Sequence, residues 1–441
     1  MKPRVLLFQP PIYDFGLFDL FFKPYGLLRL GRWFADTGYE ISYLNAMDWT
    51  DPATIAAQGP VKRRANGTGK FFRKPAKLPS GVPQIPKQYS RYGICVESIA
   101  ESIKVADPHI VMITTGMTYW YEGVVEAVAA VRTHAPTAKI VLGGIYASLM
   151  PEHALNVTGA DAVVTGDGED QLRGVLESFS LTTPESSIPH WPILIPAAWK
   201  GIAGAIRLNT GCPLHCDYCA SDQISPNFIQ GNAESSFGFL STLRERFGIT
   251  HIGFYDDALL MRKEEVLIPF LERILASEQD WKFYTPNAVH VRLIDKRIAS
   301  LLYRSGFQEI RMGYESASSV FHDEHDHKFT TDDFGGAVEA LYSAGFTKRQ
   351  LPVYVLAGLP GQHRSEVAHS IEMASKAGVA VSIAEYSPIP GTSSWDETIA
   401  SCGYPLEEEP LLHNNSLHIT QWDGLTRDDM QELKLAARAT R

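Results

Sequence analysis

The sequence predicts an α/β protein in which a doubly wound parallel sheet is followed by a partial barrel of six strand–helix units. Short apolar runs alternate with helical periodicity on both sides of a proline-rich segment. Such alternation is typical of parallel sheets whose faces are covered by helices. The chain has 441 residues, of which 45% are hydrophobic, so it is long enough for two or three domains with cores of their own.

Residues 1–180 are predicted to form a Rossmann-like domain. Its predicted strands are residues 5–8, 39–44, 110–113, 139–142 and 162–164, and its predicted helices are residues 26–37 and 122–134. In open parallel sheets, ligands bind beyond the carboxyl ends of the strands. The loops that follow these strands are therefore the candidate site of this domain.

A proline-rich segment without periodicity, residues 181–204, is interpreted as a linker to the second domain. Residues 205–395 are predicted to form the partial barrel, with strands at residues 205–209, 251–255, 282–285, 309–313, 352–356 and 381–386. In barrels of this kind, functional residues lie at the carboxyl ends of the strands. Residues 396–441 are predicted to be a C-terminal extension with an amphipathic helix from residue 426 onward.

Residues 61–92 interrupt the first domain with nine basic residues and no acidic one. Two interpretations remain open, a mobile solvated insertion or a cationic arm over a phosphate-bearing ligand. The whole chain carries a net charge of −10, which argues against a general polyanion binder. We therefore expect no nucleic-acid partner.

The N-terminal residues contain no apolar run long enough for a signal-peptide core, and no apolar stretch approaches the length of a membrane helix. These observations predict a cytoplasmic protein without a membrane span. Only five cysteines occur, and three of them lie close together in the sequence. That distribution favours thiolate ligands in a reducing compartment over a disulfide scaffold.

The three clustered cysteines are Cys212, Cys216 and Cys219, which directly follow the first predicted barrel strand. A cubane 4Fe-4S cluster takes one thiolate per iron, so three ligands leave one iron open to a substrate or cofactor. A zinc site that adds His215 is disfavoured, because that residue adjoins Cys216 and no second CxxC or HxxxH occurs. Cys95 and Cys402 are interpreted as buried packing residues.

Two further groups of polar residues have either a functional or a purely structural interpretation. The run 322–327 is metal-like in composition, but its contiguous side chains point in different directions, so a solvated turn is predicted. Glu385, at the end of the last predicted strand, either faces a substrate or is a satisfied strand-end carboxylate.

A CxxxCxxC motif after the first strand of a six-unit barrel resembles the radical S-adenosylmethionine (SAM) superfamily over residues 205–395. The resemblance implies that the three cysteines hold a 4Fe-4S cluster and that SAM chelates the fourth iron. Reduction of the cluster by an external donor, such as flavodoxin or ferredoxin, then cleaves SAM to a 5'-deoxyadenosyl radical. The Gly-Gly-Glu motif that is usual after the second strand is replaced by Asp256 and Asp257. The SAM-binding residues that the resemblance implies are Tyr218, Asp256, Asp257, Asn287, Glu315, Gly358 and Pro390.

A doubly wound sheet before such a barrel resembles the cobalamin-dependent branch of the superfamily. The DxHxxG motif that ligates cobalt in cobalamin mutases is absent, which agrees with base-off binding in this branch. Tyr119 or Met117 is then a candidate beneath the cobalt, although Tyr119 could equally be a packing residue. The cobalamin-binding residues that follow from this resemblance are Pro10, Pro11, Thr115, Gly116, Met117, Tyr119, Gly143, Gly144, Tyr146, Gly166, Gly168 and Glu169.

The combined resemblance implies a methyltransferase that acts on an unactivated carbon of a small-molecule or peptide substrate through a 5'-deoxyadenosyl radical and methylcobalamin. One alternative keeps both cofactors but rearranges, cyclises or oxidises the substrate. Another is a radical SAM enzyme whose cobalamin domain is vestigial. A non-enzymatic alternative is a cobalamin or iron-sulfur sensor, which would release no 5'-deoxyadenosine.

Overall fold

The computed structural model describes residues 2–328, 331–422 and 424–441, except for the side chains of residues 331 and 332. The chain divides into two compact units, which are described one at a time. The N-terminal unit comprises Met1–Lys200 and Pro405–His413, and the barrel unit comprises Gly201–Tyr404 and Asn414–Arg441.

The N-terminal unit contains eight strands and seven helices within its described residues. The strands are β1 (Arg4–Gln9), β2 (Ile12–Asp14), β3 (Glu40–Asn45), β4 (Arg73–Pro75), β5 (Ser90–Tyr92), β6 (Ile110–Thr115), β7 (Lys139–Gly144) and β8 (Ala162–Val164). The helices are α1 (Tyr25–Asp36), α2 (Pro52–Gln58), α3 (Val96–Ala106), α4 (Tyr121–His134), α5 (Ile145–Leu149), α6 (Pro151–Thr158) and α7 (Glu169–Ser178).

Five of these strands form the predicted doubly wound parallel sheet, in the order β3-β1-β6-β7-β8. Alternate residues of β1 face opposite sides of the sheet: Leu6 and Phe8 enter one buried cluster, whereas Val5 and Leu7 enter another. Burial on both faces explains why the strand reads as a continuous apolar run. The strand order reverses between β1 and β6, and crevices at such reversals are where open α/β sheets bind ligands.

A second, antiparallel sheet in this unit was not predicted. It has the order β2-β5-β4, and two of its strands lie in the basic insertion 61–92. Arg63 pairs with Asp19 at 2.5 Å, and Arg91 pairs with Glu126 at 2.6 Å. The insertion is therefore partly built into the unit by strands and ion pairs, so its interpretation as a mobile loop is wrong for these parts.

The barrel unit contains eight short strands and nine helices within its described residues. The strands are β9 (Ala203–Ile206), β10 (His251–Phe254), β11 (Lys282–Tyr284), β12 (Val289–His290), β13 (Phe307–Glu309), β14 (Met312–Glu315), β15 (Pro352–Ala357) and β16 (Ala380–Glu385). The helices are α8 (Ser221–Ile224), α9 (Ala233–Phe247), α10 (Leu267–Ala276), α11 (Lys296–Arg304), α12 (Ser319–Phe321), α13 (Thr331–Ala344), α14 (Arg364–Lys376), α15 (Ser393–Cys402) and α16 (Arg427–Ala439).

The barrel strands form two parallel sheets, β9-β10-β11-β13 and β12-β14-β15-β16. The predicted fourth strand, residues 309–313, is wrong as a single strand, because β13 pairs with β11 whereas β14 pairs with β15. Between them, the Arg311 N–H donates to the Thr285 hydroxyl at 2.8 Å instead of to a strand carbonyl. The six predicted strand–helix units are thus present, with the fourth strand broken where the two sheets adjoin.

Two connecting regions depart from the predicted boundaries. Much of the predicted linker 181–204 packs on α1: the Trp33 indole N–H donates to the Ser186 carbonyl at 2.6 Å, and the Ile193 N–H donates to the Leu28 carbonyl at 2.9 Å. Residues 405–413 of the predicted C-terminal extension belong to the N-terminal unit. The predicted amphipathic helix is confirmed as α16, and Thr426 caps its first turn.

None of the helices in the described residues has the length and apolar character of a membrane span.

Candidate cofactor sites

The three cysteines of the CxxxCxxC motif lie on one loop after β9, and all three are free and half-buried. Gly211 precedes the first of them with a φ of +78°, and a Cβ there would lie 2.6 Å from the Asn227 carbonyl oxygen. This backbone conformation and the close approach together require glycine. Among the described residues, no three His, Cys, Asp or Glu side chains converge on the position of a single metal ion. A cubane does not need such convergence, because each thiolate binds a different iron.

Asp256, at the end of β10, anchors the start of this loop. Its carboxylate accepts the Leu208 N–H at 3.0 Å and the Asn209 N–H at 2.6 Å, and its own carbonyl accepts from the Asn287 amide at 3.2 Å. Burial raises the pKa of Asp256 to about 7, although the two backbone N–H groups oppose the rise. Burial also raises the pKa of Asp257. The structure therefore brings Asp256 and Asn287 together. Their polar atoms form hydrogen bonds within the protein that fix the loops after β9 and β10.

A group of polar side chains, here called the Lys328 cluster, comprises the buried Asp326 and the partly buried Lys328, Tyr218 and Glu315. The Lys328 ammonium lies 3.0 Å from the Tyr218 hydroxyl and 3.2 Å from a Glu315 carboxylate oxygen. The Tyr218 hydroxyl donates to Asp326 at 2.8 Å. Burial alone would lower the pKa of Lys328, but the charges of Glu315 and its other anionic neighbours raise it, so the ammonium stays protonated.

The Lys328 cluster joins two of the predicted SAM-binding residues, Tyr218 and Glu315. Glu315 has a φ of +57°, a left-handed conformation that costs a non-glycine residue about 1 kcal/mol or more. Its carboxylate is committed to Lys328 in this structure. The strained backbone and the partly buried ion pair show that this strand end is held in one defined conformation.

The run 322–327 is not the solvated turn that its composition predicts. It begins with a π-helical turn, His322–Asp326, in which both terminal side chains are buried. His322 Nδ1 lies 2.8 Å from Asp326, and Nε2 lies 2.9 Å from the Ser316 carbonyl oxygen. Since both partners are acceptors, both ring nitrogens donate and the imidazole is cationic, and the interaction with Asp326 raises the pKa of His322 against the effect of burial. Asp326 also accepts from Tyr218, which connects this turn to the cysteine loop.

The cysteine thiols are half-buried, and the charges of Lys328 and Asp326 act on Cys216. Burial raises the pKa of Cys216 to about 12, and the charge of Lys328 opposes this rise. His290 Nε2 lies 3.9 Å from Cys212 Sγ, and burial lowers the pKa of His290 to about 4, so this imidazole is neutral near pH 7. Three thiols, a nearby cation and a neutral imidazole fit an anionic iron-sulfur cluster, since the cation offsets the charge of the thiolates.

Sequence reasoning missed Lys328, His290 and Asp326 as parts of this site. Lys328 is 110 positions from Tyr218 in sequence, and no motif links them. His215, the residue of the disfavoured zinc interpretation, has a side chain that is 78% exposed and lies 3.0 Å from Asp222. Glu385 pairs with Lys434 at 2.6 Å, which agrees with a satisfied strand-end carboxylate.

The remaining predicted SAM-binding residues, Gly358 and Pro390, follow β15 and β16. Gly358 has a φ of +107°, its N–H donates to Gln362 at 2.9 Å, and its carbonyl accepts from Thr420 at 2.7 Å. Pro390 precedes Gly391, which also has a positive φ of +79°. Parallel strands end at the same rim of a barrel, so these loops and the cysteine loop share the carboxyl rim of the barrel unit.

The predicted cobalamin-binding residues lie in four loops at the carboxyl edge of the N-terminal sheet. Pro10 and Pro11 follow β1 and Thr115 ends β6, so these two loops flank the reversal in strand order. Gly144 has a φ of +107°, and a Cβ there would lie 2.4 Å from the Thr115 carbonyl oxygen, so a larger residue does not fit. A Cβ on Gly143, in contrast, would meet only the Val164 carbonyl oxygen, at 3.8 Å, so it is the absence of a side chain at Gly143 that leaves space at this edge of the sheet.

Some predicted cobalamin residues make structural contacts instead. The Tyr146 ring is fully buried in the core beneath the sheet, so only its backbone borders the loops. Glu169 pairs with Arg173 at 2.9 Å and accepts the Ile188 N–H at 2.8 Å. Met117, in contrast, is 41% exposed, and Tyr119 is partly exposed with a pKa that burial raises. Gly116 lies in the loop after β6, and Gly143 lies near the end of β7. Gly166 and Gly168 lie in the loop after β8 and have positive φ angles of 56° and 51°.

Segment Pro405–His413, here called the returning segment, packs against the turn Thr118–Trp120 after β6. His413 is fully buried, with Nδ1 2.8 Å from the Thr118 hydroxyl and Nε2 2.8 Å from the Leu406 carbonyl oxygen. Because a carbonyl only accepts, Nε2 carries the proton and Nδ1 accepts from Thr118. Burial lowers the pKa of His413 to about 4, which agrees with this neutral tautomer.

Replacing His413 by glutamine is expected to reduce the loss of stability in acid. The unfolded chain binds a proton on this histidine below about pH 6.5, whereas the folded chain does so only below about pH 4. Stability therefore rises with pH across this window, and its loss on acidification amounts to about 3 kcal/mol. Urea unfolding at pH 7 and pH 4.5 measures the effect, and equal pH dependence in the wild type and His413→Gln would contradict it.

A cavity of about 520 Å³ lies within the basic insertion 61–92. It is lined by Lys77 and Lys87, by the amide side chains Gln84 and Gln88, and by Tyr89 together with apolar residues. Two ammonium groups beside amide donors fit an anionic group. Arg63 is not available for such a role, because it is paired with Asp19.

Two family models match the chain. Residues 86–176 match the B12 binding domain family, and residues 206–374 match the radical SAM superfamily. The first match covers the loops after β6, β7 and β8, and the second covers the cysteine loop and the Lys328 cluster. The chain therefore carries the two domains that define the cobalamin-dependent radical SAM family, a B12-binding domain and a radical SAM domain, as its cysteine motif and domain order predict.

Solved structures of this class share the fold. The radical SAM methyltransferase TsrM from Kitasatospora setae, with its tryptophan substrate and a SAM analogue bound, matches with a TM-score of 0.67 and 16% identity, over 90% of this chain and 76% of that chain. The cobalamin-dependent radical SAM enzyme OxsB, in its apo form, matches with a TM-score of 0.60 and 12% identity, over 96% of this chain and 57% of that chain. A comparison with curated sequences found no match. At these identities the likeness concerns the fold.

Proposed function

We propose that the protein is a methyltransferase that transfers a methyl group from cobalamin to an unactivated carbon of a small-molecule or peptide substrate. The observation that carries this proposal is the combination of two features in one chain. One is a loop with three cysteine thiols after the first barrel strand, and the other is a B12-binding domain whose sheet ends in glycine-containing loops. The fold is shared with a solved radical SAM methyltransferase, and this likeness makes methyl transfer the first outcome to test.

We assign Cys212, Cys216 and Cys219 as the protein ligands of a 4Fe-4S cluster. The cluster, when bound and reduced, supplies the electron that cleaves SAM. The chain contributes the loop geometry fixed by Asp256 and the positive charge of Lys328 close to the thiols. Lys328 also lies between Tyr218 and Glu315, both predicted to contact SAM, so its ammonium is placed to orient these two side chains.

The remaining SAM-binding assignments are proposals of unequal structural support. Asp257 is exposed, in contrast to the buried Asp256, so its carboxylate is a candidate acceptor for an ammonium group. Gly358 and Pro390 lie in rim loops whose positive φ angles let the backbone approach a ligand closely. The side chains of Asp256 and Asn287 are tied to the chain, so we propose that they position the rim loops.

For cobalamin, we propose that the loops after β1, β6, β7 and β8 hold the cofactor at the carboxyl edge of the sheet. Met117, which is exposed, and Tyr119, which is partly exposed, are the two side chains that we propose to contact the cofactor near its cobalt. Tyr119 keeps its phenolic proton at neutral pH, since even a solvated tyrosine has a pKa of about 10 and burial raises the pKa of this one further. An oxygen contact from this residue would therefore come from a neutral phenol.

The lysine-lined cavity in the insertion 61–92 is proposed to receive an anionic group. That group belongs either to the substrate or to the phosphate of the cobalamin tail. Both sources share the chemistry that Lys77, Lys87 and the neighbouring amides recognise.

The product mass tests methyl transfer. Anaerobic protein is reconstituted with iron, sulfide, cobalamin and SAM, and an external donor such as reduced flavodoxin supplies the electrons. It is expected to release 5'-deoxyadenosine and to add one CH2 to its substrate, and mass spectrometry of candidate substrate pools reveals the added mass. Deuterated methyl-SAM provides the control, because the label must appear in the product. A converted substrate without the added CH2 overturns methyl transfer and favours rearrangement, cyclisation or oxidation.

A further inference from the structure

The returning segment Pro405–His413 comes from the far end of the sequence but is part of the N-terminal unit. Its side chains Leu406, Leu411 and Leu412 are each at most 1% exposed. Burial of a leucine side chain contributes stabilisation of the order of 2 kcal/mol. The segment is therefore a packed component of the unit that carries the B12-binding loops.

Three polar contacts connect the segment to that unit. His413 accepts a hydrogen bond from the Thr118 hydroxyl at 2.8 Å, and Glu409 accepts one from the Tyr121 hydroxyl at 3.3 Å. The backbone of Glu408 hydrogen-bonds His153 on α6. These contacts reach the loop after β6, the first turn of α4, and α6, all of which border the carboxyl edge of the sheet.

Thr118 lies in the sequence between Met117 and Tyr119, the two residues predicted to contact cobalamin near its cobalt. The loop is also held at its two ends: the Gly116 carbonyl accepts the Tyr146 N–H at 2.9 Å, and the Trp120 indole N–H donates to Asp14 at 2.6 Å. His413 supplies the anchor between those ends. The anchored Thr118 is 5% exposed, whereas its neighbour Met117 is 41% exposed, so the loop directs one side chain inward and the next one outward.

We propose that the returning segment is a structural component of the cobalamin site and that His413 is a positioning residue, which acts through Thr118 on Met117 and Tyr119. This inference rests on the proposed binding of cobalamin to the N-terminal unit. A loop that is held in its binding conformation before the cofactor arrives loses less conformational entropy on binding. Removal of the anchor is therefore expected to weaken binding without removing any atom that touches the cofactor.

Affinity for hydroxocobalamin tests the proposal. Full-length wild-type protein, His413→Ala, Thr118→Val and the double variant are titrated with hydroxocobalamin and followed by visible absorption and equilibrium dialysis. Each single variant is expected to raise Kd about tenfold, and the double variant no more than the weaker-binding single one, because both changes break the same contact. Thr118→Ser keeps the hydroxyl and is expected to bind like the wild type.

Two controls separate a local effect from misfolding. His109→Ala removes an exposed histidine that bonds the Arg4 N–H at the opposite end of β6, and its Kd is expected to stay within twofold of the wild type. Circular dichroism and iron content of each variant must match the wild type. Variants that fold but keep the wild-type Kd, or single effects that add in the double variant, overturn the role of His413. A wild type that binds no hydroxocobalamin instead overturns the proposed function.

Discussion

Replacing Cys216 by serine is expected to remove the 4Fe-4S cluster and to lower the rate of SAM cleavage by more than about a hundredfold. The thiolate is the form that binds iron, and a serine hydroxyl does not ionise near neutral pH. Two remaining thiols cannot hold three irons, since each iron takes one protein ligand. Iron and sulfide content after anaerobic reconstitution and the release of 5'-deoxyadenosine measure the two effects.

Matched controls are available within the same chain. Cys95→Ser and Cys402→Ser remove the two cysteines outside the motif. The sequence predicts that both are buried, but the structure shows that both are half-buried. Cys95 Sγ lies 3.2 Å from the Ser98 hydroxyl, and Cys402 Sγ lies 3.9 Å from the Tyr404 carbonyl oxygen. Both variants are expected to keep the iron content of the wild type. A Cys216→Ser protein that assembles a full cluster and cleaves SAM would refute the ligand assignment.

The large elements of the fold were predictable because their signals are local. The central strands β1, β6 and β7 are runs of buried residues, so their apolar sequences mark them, and the edge strands β3 and β8 are partly buried but still apolar enough to be recognised. The strands β2, β4 and β5 have three residues each and were not predicted. They form because β2 and β4 each pair with β5, which is distant from both in the sequence. Strands of three residues are too short to show a periodic pattern of apolar residues in the sequence.

The break in the fourth barrel strand has a similar cause. Residues 309–313 have the composition of one strand, but the pairing partners change from β11 to β15 within them. The residues between the two halves then bond to a side chain, as Arg311 does to Thr285. The amino-acid composition of a strand indicates whether the strand is buried. It does not indicate which strand is its partner, because pairing depends on the tertiary arrangement of the sheets.

The same distinction separates the predicted and missed parts of the cysteine site. Cys212, Cys216 and Cys219 lie on one loop, so their spacing alone carries the prediction. The contact between Lys328 and Tyr218 joins residues 110 positions apart, and the contact between His413 and Thr118 joins residues 295 positions apart. Contacts of that range arise from the tertiary fold, and a lone lysine or histidine in the sequence does not reveal them.

Replacing Lys328 by methionine is expected to make the bound cluster harder to reduce. Methionine keeps most of the side-chain volume but removes the positive charge near the thiols, and it leaves the carboxylates of Glu315 and Asp326 without that cation. Loss of a nearby unit charge in a partly buried site changes an electrostatic free energy by roughly 2 kcal/mol, which corresponds to about 100 mV for one electron. We expect the midpoint potential of the cluster to fall by that order.

Redox titration of the reconstituted protein, followed by electron paramagnetic resonance, measures the shift independently of turnover. Lys328→Arg keeps the charge and is expected to retain a potential near that of the wild type. Lys434→Met removes another half-buried ion pair of the barrel unit, with Glu385 at 2.6 Å, and serves as a control for the loss of a lysine. If Lys328→Met holds a full cluster at the wild-type potential, Lys328 has no electrostatic role at the cluster. If it loses iron while Lys328→Arg does not, the charge acts earlier, by stabilising the thiolates during assembly.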